Sequence, residues 1–144
     1  MKKCSEVMTE SPACCLPSDS VSRVAQAMKD ENVGSIPVIE NPQTRILAGI
    51  VTDRDLALQV VADGRDANLT KVADVMTYKV VTCHIDDPVE EAVDAMAENQ
   101  LRRIPVVDNG YRVVGIISQA DVATRVDKPE ETAKMVKEIS QPTA

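Results

Sequence analysis

Two short segments of this 144-residue chain, Thr52-Asp53-Arg54-Asp55 and Ser118-Gln119-Ala120-Asp121, place a hydroxyl three residues ahead of a carboxylate. A carboxylate only accepts hydrogen bonds, and a sugar diol offers two O–H donors that it can take together. Each segment follows an apolar, β-branched run, so the hydroxyl is expected where a strand turns into a helix. Free backbone N–H groups at such a point favour an anion. The same spacing also fits a helix capping box, with Asp as a shorter substitute for Glu or Gln. Both uses draw on the same atoms.

Cys14, Cys15, Cys83 and the single histidine, His84, form the other set of reactive side chains. Brought together, they would suit Zn²⁺, or a redox switch if the thiolates were exposed. Against this, adjacent cysteines make awkward joint ligands, and the cysteines lack the C-x-x-C spacing of a zinc knuckle. Alternation along a strand instead turns such cysteines into the core as small hydrophobes. The favoured expectation is therefore no metal. One histidine also leaves no assembled acid, base and nucleophile, so no enzyme is expected.

Composition narrows the classes further. Hydrophobic residues make up 44% of the chain, but the only aromatics are Tyr78 and Tyr111. Recognition of single-stranded nucleic acid by base stacking is nearly excluded. The net charge is −7, with no dense basic run to displace phosphate counterions. The longest apolar stretches, Ile46 to Val51 and Val113 to Ile117, are strand-sized rather than membrane-spanning. Met1-Lys2-Lys3 meets Cys4, Ser5 and Glu6 rather than an apolar leader, so a soluble cytoplasmic protein is expected.

The elements that must position these residues come as a repeat. Sliding the chain by 68 places Val7-Met8-Thr9 on Val75-Met76-Thr77, Cys15 on Cys83 and Asp19 on Asp87. The same shift aligns Val21 with Val89, Ala27-Met28 with Ala95-Met96, and Ile36-Pro37-Val38 with Ile104-Pro105-Val106. That is 11 identities over positions 7 to 38, where chance gives about two. With an offset of 66, Gly49-Ile50 falls on Gly115-Ile116, Asp55 on Asp121 and Ala57 on Ala123.

Each half reads as β-α-β-β-α. In the second, Val80 to His84 is a strand. Asp87 then caps a helix with Pro88 at its first position, and Val89, Val93, Met96 and Ala97 form the buried stripe. Ile104 to Asp108 and Val113 to Ile117 are strands joined by an Asn109-Gly110 turn. A last helix starts near Gln119 and turns Val122 and Val126 inward. In the first half Val21, Val24, Ala25 and Met28 form the helix stripe. Ile36 to Ile39 and Ile46 to Val51 are strands, and Leu56, Val60 and Val61 continue the closing helix. Met8, Met28, Met76 and Met96 read as core filling. The expected domains are 7–63 and 74–128, each a three-stranded sheet under two helices, followed by a helix and tail over 129–144. One such unit has too small a core to be comfortable alone.

Val33-Gly34-Ser35-Ile36-Pro37-Val38 followed by Gly49-Ile50-Val51-Thr52-Asp53-Arg54-Asp55 resembles a CBS domain, the module named after cystathionine β-synthase. So do Leu101-Arg102-Arg103-Ile104-Pro105-Val106 with Gly115-Ile116-Ile117-Ser118-Gln119-Ala120-Asp121, and the Val-Met-Thr at 7–9 and 75–77. The resemblance covers about 7 to 126 and implies an α+β fold of two repeats packed as a pseudo-two-fold pair. It also implies a stand-alone regulatory module, a homodimer through helix faces and a regulated partner protein. The ligands it implies are adenosine-containing: AMP, ADP, ATP, S-adenosylmethionine or NAD, in clefts between the repeats.

Carried over, Thr52 with Asp55 and Ser118 with Asp121 would hold ribose and phosphate. Val33, Gly34 and Ser35 would line the Ser118/Asp121 cleft, and Leu101, Arg102 and Arg103 the Thr52/Asp55 cleft. Arg102, Arg103 and Arg54 are the candidate phosphate partners, whereas Gly34, Ser35 and Ala120 carry no charge. The Thr52/Asp55 cleft is therefore expected to be the better phosphate site. An adenine would rest on aliphatic faces such as Ile36, Leu101 and Ile104. The alternative is a ligand-free interaction module, with or without a metal or redox site at the Cys/His positions.

Overall fold

A small domain of aliphatic residues must close its core with every apolar face it has, including short lead-in segments. The computed structural model describes residues 2–125, 133 and 136–140. In chain order it holds helix α1 (Cys4–Val7), strand β1 (Thr9–Glu10), α2 (Val21–Glu31), β2 (Ser35–Ile39), β3 (Leu47–Thr52) and α3 (Asp53–Leu56). The last of these runs on as a π-helical turn over Ala57–Val61, and a 3₁₀ turn follows at Val72–Asp74. Then come β4 (Cys83–His84), α4 (Val89–Glu98), β5 (Arg103–Val107), β6 (Val113–Ser118) and α5 (Gln119–Arg125).

The chain divides into two units, Ala13–Val80 and Met1–Pro12 with Val81–Ala144. These units do not follow the sequence repeats. The leading segment of each repeat is built into the unit made by the other repeat's body. Cys4 N–H donates to the Asp87 carbonyl at 2.9 Å and Ser5 N–H to Ile85 at 3.1 Å, while Val72 N–H donates to Asp19 at 2.9 Å and Ala73 N–H to Pro17 at 3.0 Å. The first N–H of α4, from Val89, reaches the Lys2 carbonyl, and that of α2, from Val21, reaches Thr70. All three pairs of contacts are related by the sequence offset of 68.

The exchange adds a strand to the expected sheet. The second unit has four strands, in the order β1-β6-β5-β4, rather than three. Thr9 pairs with Ile116 and Glu10 with Gly115. In the first unit β2 and β3 pair, and single bridges extend them on both sides, Cys15 with Val38 and Ile50 with Thr77. The added strand needs a glycine beneath it. A Cβ on Gly49 would lie 2.8 Å from the Thr77 carbonyl oxygen, and one on Gly115 would collide with the Met8 thioether. Here Met8 and Met76 fill space across the neighbouring strand.

Two local expectations are corrected, and the Asn109-Gly110 turn stands where it was expected. Strand β4 is only Cys83–His84, parallel to Val106 and Val107, because Pro105 has no N–H to extend the ladder. The N-cap of α4 is Pro88 rather than Asp87, and the Asp87 carboxylate instead accepts the His84 N–H at 2.9 Å. Asp19 does the same for Leu16, which frees Ser20 to cap α2 through the Arg23 N–H at 3.2 Å. In the Asn109-Gly110 hairpin the left-handed residue is Tyr111 (φ 60°), matched by Arg45 (φ 56°), and Asp108 secures the turn by accepting from Gly110 and Arg112.

The second core gathers Cys4, Cys83, Val93, Met96, Ile104, Ile117 and Val122, and Ile139 packs into it. The first gathers Cys15, Val24, Met28, Ile36, Val51, Val72 and Met76. Val60 is buried with Val21 and Val75, but Val61 is turned out to solvent by the π-helical turn. The expected inward Val126, the second-domain end at 128 and most of the helix over 129–139 lie outside the described residues. Among the described residues no helix is long and apolar enough to cross a membrane.

Candidate functional site

Strands β3 and β6 each end on a hydroxyl, and the chain turns there into α3 or α5. Both turns are reciprocal caps. Thr52 Oγ1 accepts the Asp55 N–H at 3.0 Å and Asp55 Oδ2 accepts the Thr52 N–H at 3.0 Å. Ser118 and Asp121 repeat this at 3.1 and 2.9 Å. The capping reading holds in both halves, with Asp long enough to reach back.

The free backbone amides expected there are mostly taken. Asp53 N–H donates to the Gly34 carbonyl at 2.9 Å, and Arg54 N–H to Asp53 Oδ1 at 2.8 Å. Gln119 N–H likewise donates to Arg102 at 3.0 Å, which leaves Ala120 N–H as the amide of that turn without an acceptor among the described residues. The segments before the prolines are tied to the hydroxyl–carboxylate turn of their own half: Ser35 is in register with Thr52, and Arg103 with Ser118. This follows from the antiparallel hairpins β2–β3 and β5–β6.

Of the aliphatic faces expected to hold a base, Ile36 and Ile104 are fully buried core residues. Val33 and Leu101 keep part of their surface open while packing on their own cores. Among the cationic candidates, Arg54 and Arg102 are exposed and Arg103 is half-buried.

The two carboxylates differ in what else they hold. Asp55 Oδ2 takes its capping bond, and among the described residues Oδ1 has no protein partner. Asp121 holds further partners on both oxygens. Thr9 Oγ1 lies 3.2 Å from its Oδ1 and 3.5 Å from its Oδ2, and Arg125 Nη2 is 3.9 Å from Oδ1. Arg125 also donates through Nη1 to the Val7 and Met8 carbonyls, both at 3.0 Å. Its counterpart, Gln59, donates to the Val75 carbonyl at 3.3 Å. Thr9 and Arg125 were missed from sequence because the repeat assigns Thr9 to the first half. The spacing of Arg125, four residues after Asp121 on a helix, was the available signal.

The Cys/His set is accounted for within the units. Cys15 and Cys83 are buried at equivalent positions. Burial pushes the Cys15 thiol up to about 12, with Asp19 and Cys14 adding to it. The Cys83 thiol is pushed up chiefly by a hydrogen bond shared with Cys4, then by burial. Cys14 is raised by burial, partly offset by Arg45, whose guanidinium Nη2 lies 3.4 Å from its sulfur. His84 Nε2 is 2.6 Å from Asn109 Oδ1, and its Nδ1 accepts the Asp86 N–H at 3.1 Å. Among the described residues no three His, Cys, Asp or Glu side chains are grouped to hold a metal.

Comparison with known proteins meets this geometry at both levels. The chain is 36% identical over 140 residues to the CBS domain-containing protein YhcV of Bacillus subtilis, covering 97% of this chain and 96% of that one. Among solved structures it resembles Hypoxic Response Protein I with two coordinated zinc ions, at TM-score 0.77 and 27% identity over 87% of this chain and 99% of the other. It also resembles the CBS domain pair of protein MJ0100 in complex with 5′-methylthioadenosine and S-adenosyl-L-methionine, at TM-score 0.73 and 25% identity over 85% and 97%. The CBS domain family model matches twice, over residues 4–62 and 72–128, and on two repeats of one α+β pattern the chain belongs to the CBS domain family as a tandem pair.

Proposed function

We propose that this chain is a non-catalytic cytoplasmic sensor that binds an adenosine-containing ligand at its hydroxyl–carboxylate turns and passes the change to a partner protein. The ligand class is AMP, ADP or ATP, with S-adenosylmethionine and NAD as further members. The observation that carries this reading is Asp55: a half-buried carboxylate with one oxygen uncommitted, beside the Thr52 hydroxyl. A ribose diol supplies the donors that such a group lacks. The MJ0100 pair, built on the same fold, holds adenosyl ligands. Exposed Arg54 and Arg102 are available for phosphate, and four free cysteines fit a reducing compartment. The signal can be no larger than the difference in ligand affinity between two states of the module. Exposed Leu58 and Val61 on the π-helical turn fit a homodimer through helix faces.

The zinc in Hypoxic Response Protein I favours a second reading, an interaction module with metal at Cys14, Cys15, Cys83 and His84. Against it, the Cys15 and Cys83 thiols are held protonated and buried. A thermal-shift screen of wild type and Asp55→Ala/Asp121→Ala with AMP, ADP, ATP, NAD and S-adenosylmethionine tests the first reading. A ligand at 100 times its dissociation constant stabilises by about 2.7 kcal/mol, and that shift should vanish in the variant. No shift with any ligand, together with stoichiometric zinc in purified protein, would establish the second.

A further inference from the structure

The two turns share one backbone, so the difference between them lies in their neighbours. We infer that the Ser118/Asp121 turn is closed to a ribose by the chain's own Thr9 and Arg125, so that each chain takes one adenosine ligand, at Thr52/Asp55. This rests on the function proposed above and adds which half is open and what closes the other.

Asp121 has the acceptor capacity a diol would need, and the chain itself takes part of it on both oxygens. Thr9 offers its hydroxyl to both oxygens, at 3.2 and 3.5 Å, in the place a sugar hydroxyl would fill. Ser118 N–H holds Oδ2 from the other side at 2.9 Å. Arg125 makes the arrangement hard to displace. Its guanidinium lies 3.9 Å from Asp121 Oδ1 and donates to the two carbonyls immediately before Thr9, those of Val7 and Met8, at 3.0 Å each. One side chain therefore holds the strand that lies over the carboxylate and sets a positive charge beside it. The pairing of Thr9 with Ile116 fixes it further.

The first unit lacks both parts. Thr77 occupies the position of Thr9 and pairs with Ile50, but among the described residues its hydroxyl does not reach Asp55. Gln59 stands for Arg125, is uncharged, and among the described residues donates to one carbonyl, that of Val75. A ligand entering at Asp55 forms new bonds to an open oxygen. One entering at Asp121 must replace a hydroxyl bond with a hydroxyl bond, beside a positive charge already in place. Exchange of one good partner for another contributes little net affinity, whereas a new bond to a charged group contributes about tenfold or more.

Titration calorimetry on the full chain, with AMP and with S-adenosylmethionine as separate probes, tests this. Wild type should bind one equivalent of whichever probe it accepts. Asp55→Ala should lose that equivalent, and Asp121→Asn should keep it. Thr9→Val combined with Arg125→Gln copies the first half's uncharged residue while retaining a carbonyl donor, and should gain a second equivalent with about tenfold higher affinity at that half. Two equal equivalents in wild type, or a single one that survives Asp55→Ala and is lost with Asp121→Asn, would overturn the inference and leave the proposed function standing. Binding of neither probe to wild type or to the opened variant would instead overturn the proposed function, and this inference with it. Hydrogen exchange reads the closure without any ligand: the amides of Thr9 to Ser11 should exchange faster in the double variant, and unchanged exchange there would show that Thr9 and Arg125 hold nothing shut.

Discussion

Asp55 and Asp121 stand at equivalent positions and hold the hydroxyl residue three places before them through nearly equal bonds, at 3.0 and 2.9 Å. Asp121 then goes on to anchor the start of the chain through Thr9, with Arg125 alongside, while among the described residues Asp55 anchors nothing further. Duplication supplied one motif twice, and its neighbours separated it into a structural half and an open half. A shared motif therefore shows where a carboxylate sits but leaves open whether its oxygens are free.

The largest expected effect tests that division on stability. Asp121→Ala removes a cap, the hydroxyl bond from Thr9 and the partner of Arg125. It should cost about 3 kcal/mol, since a cap contributes about 1 and bonds to a charged group about 1.5–3. Asp55→Ala removes only the cap and should cost about 1 kcal/mol. Urea unfolding of the two variants measures both. Equal costs would remove the distinction between the halves.

The glycines sharpen the comparison one step down. At Gly49 the obstacle to a side chain is the Thr77 carbonyl, held in place by its bond from the Ile50 N–H at 2.9 Å. At Gly115 it is the flexible Met8 side chain. Both Gly→Ala variants should destabilise by about 1–3 kcal/mol. Met8→Ala should recover much of the loss in Gly115→Ala, whereas Met76→Ala should not rescue Gly49→Ala, as their melting temperatures would show. Rescue in both halves would mean that the strand backbone yields as easily as a thioether.

Much of this was legible beforehand. The 68-residue offset located both turns, both hairpins and both buried helix stripes, because period and turn chemistry are local properties. The exchange of leading segments was not legible. Val7-Met8-Thr9 and Val75-Met76-Thr77 match each other, and no local rule says which body each one joins. For the same reason Thr9 and Arg125 escaped the candidate list. The occupied amides at Asp53 and Arg54 escaped it too, because helix-end geometry announces donors but not the carbonyl of Gly34 across the hairpin. Ile36, which the sequence offers as an aliphatic face, lies in the core with all of β2 beyond Ser35.

Alkaline pH should act on the two buried strand cysteines alike. The folded-state pKa of Cys15 is raised from 9.0 to about 12, so the unfolded chain releases this proton first. The stabilisation is fully present below pH 9.0 and is lost as pH rises towards 12. By about pH 10 the loss amounts to about 1.4 kcal/mol, and Cys15→Val should flatten the fall in a pH series of urea unfolding. Cys83 is shifted in the same direction, so Cys83→Val should flatten it as well. A pH profile unchanged by either substitution would mean that these thiols meet solvent in the folded protein.

The smallest effect concerns how the long helices begin. Ser20 caps α2 with a side-chain bond at 3.2 Å, whereas Pro88 at the same place on α4 has no such bond. Each helix nevertheless gives its first N–H to a leading-segment carbonyl, Thr70 for α2 and Lys2 for α4, both at 2.9 Å. If that backbone contact does most of the holding, Ser20→Ala costs about 0.5 kcal/mol, the low end for a lost cap. Such a loss is readable as a small shift in urea midpoint at unchanged slope. A loss of about 2 kcal/mol would mean that α2 depends on its serine. The start of α4, which has no equivalent side chain, would then owe its stability to the leading segment in a way that α2 does not, and the two halves would differ at their helix starts as they do at Asp55 and Asp121.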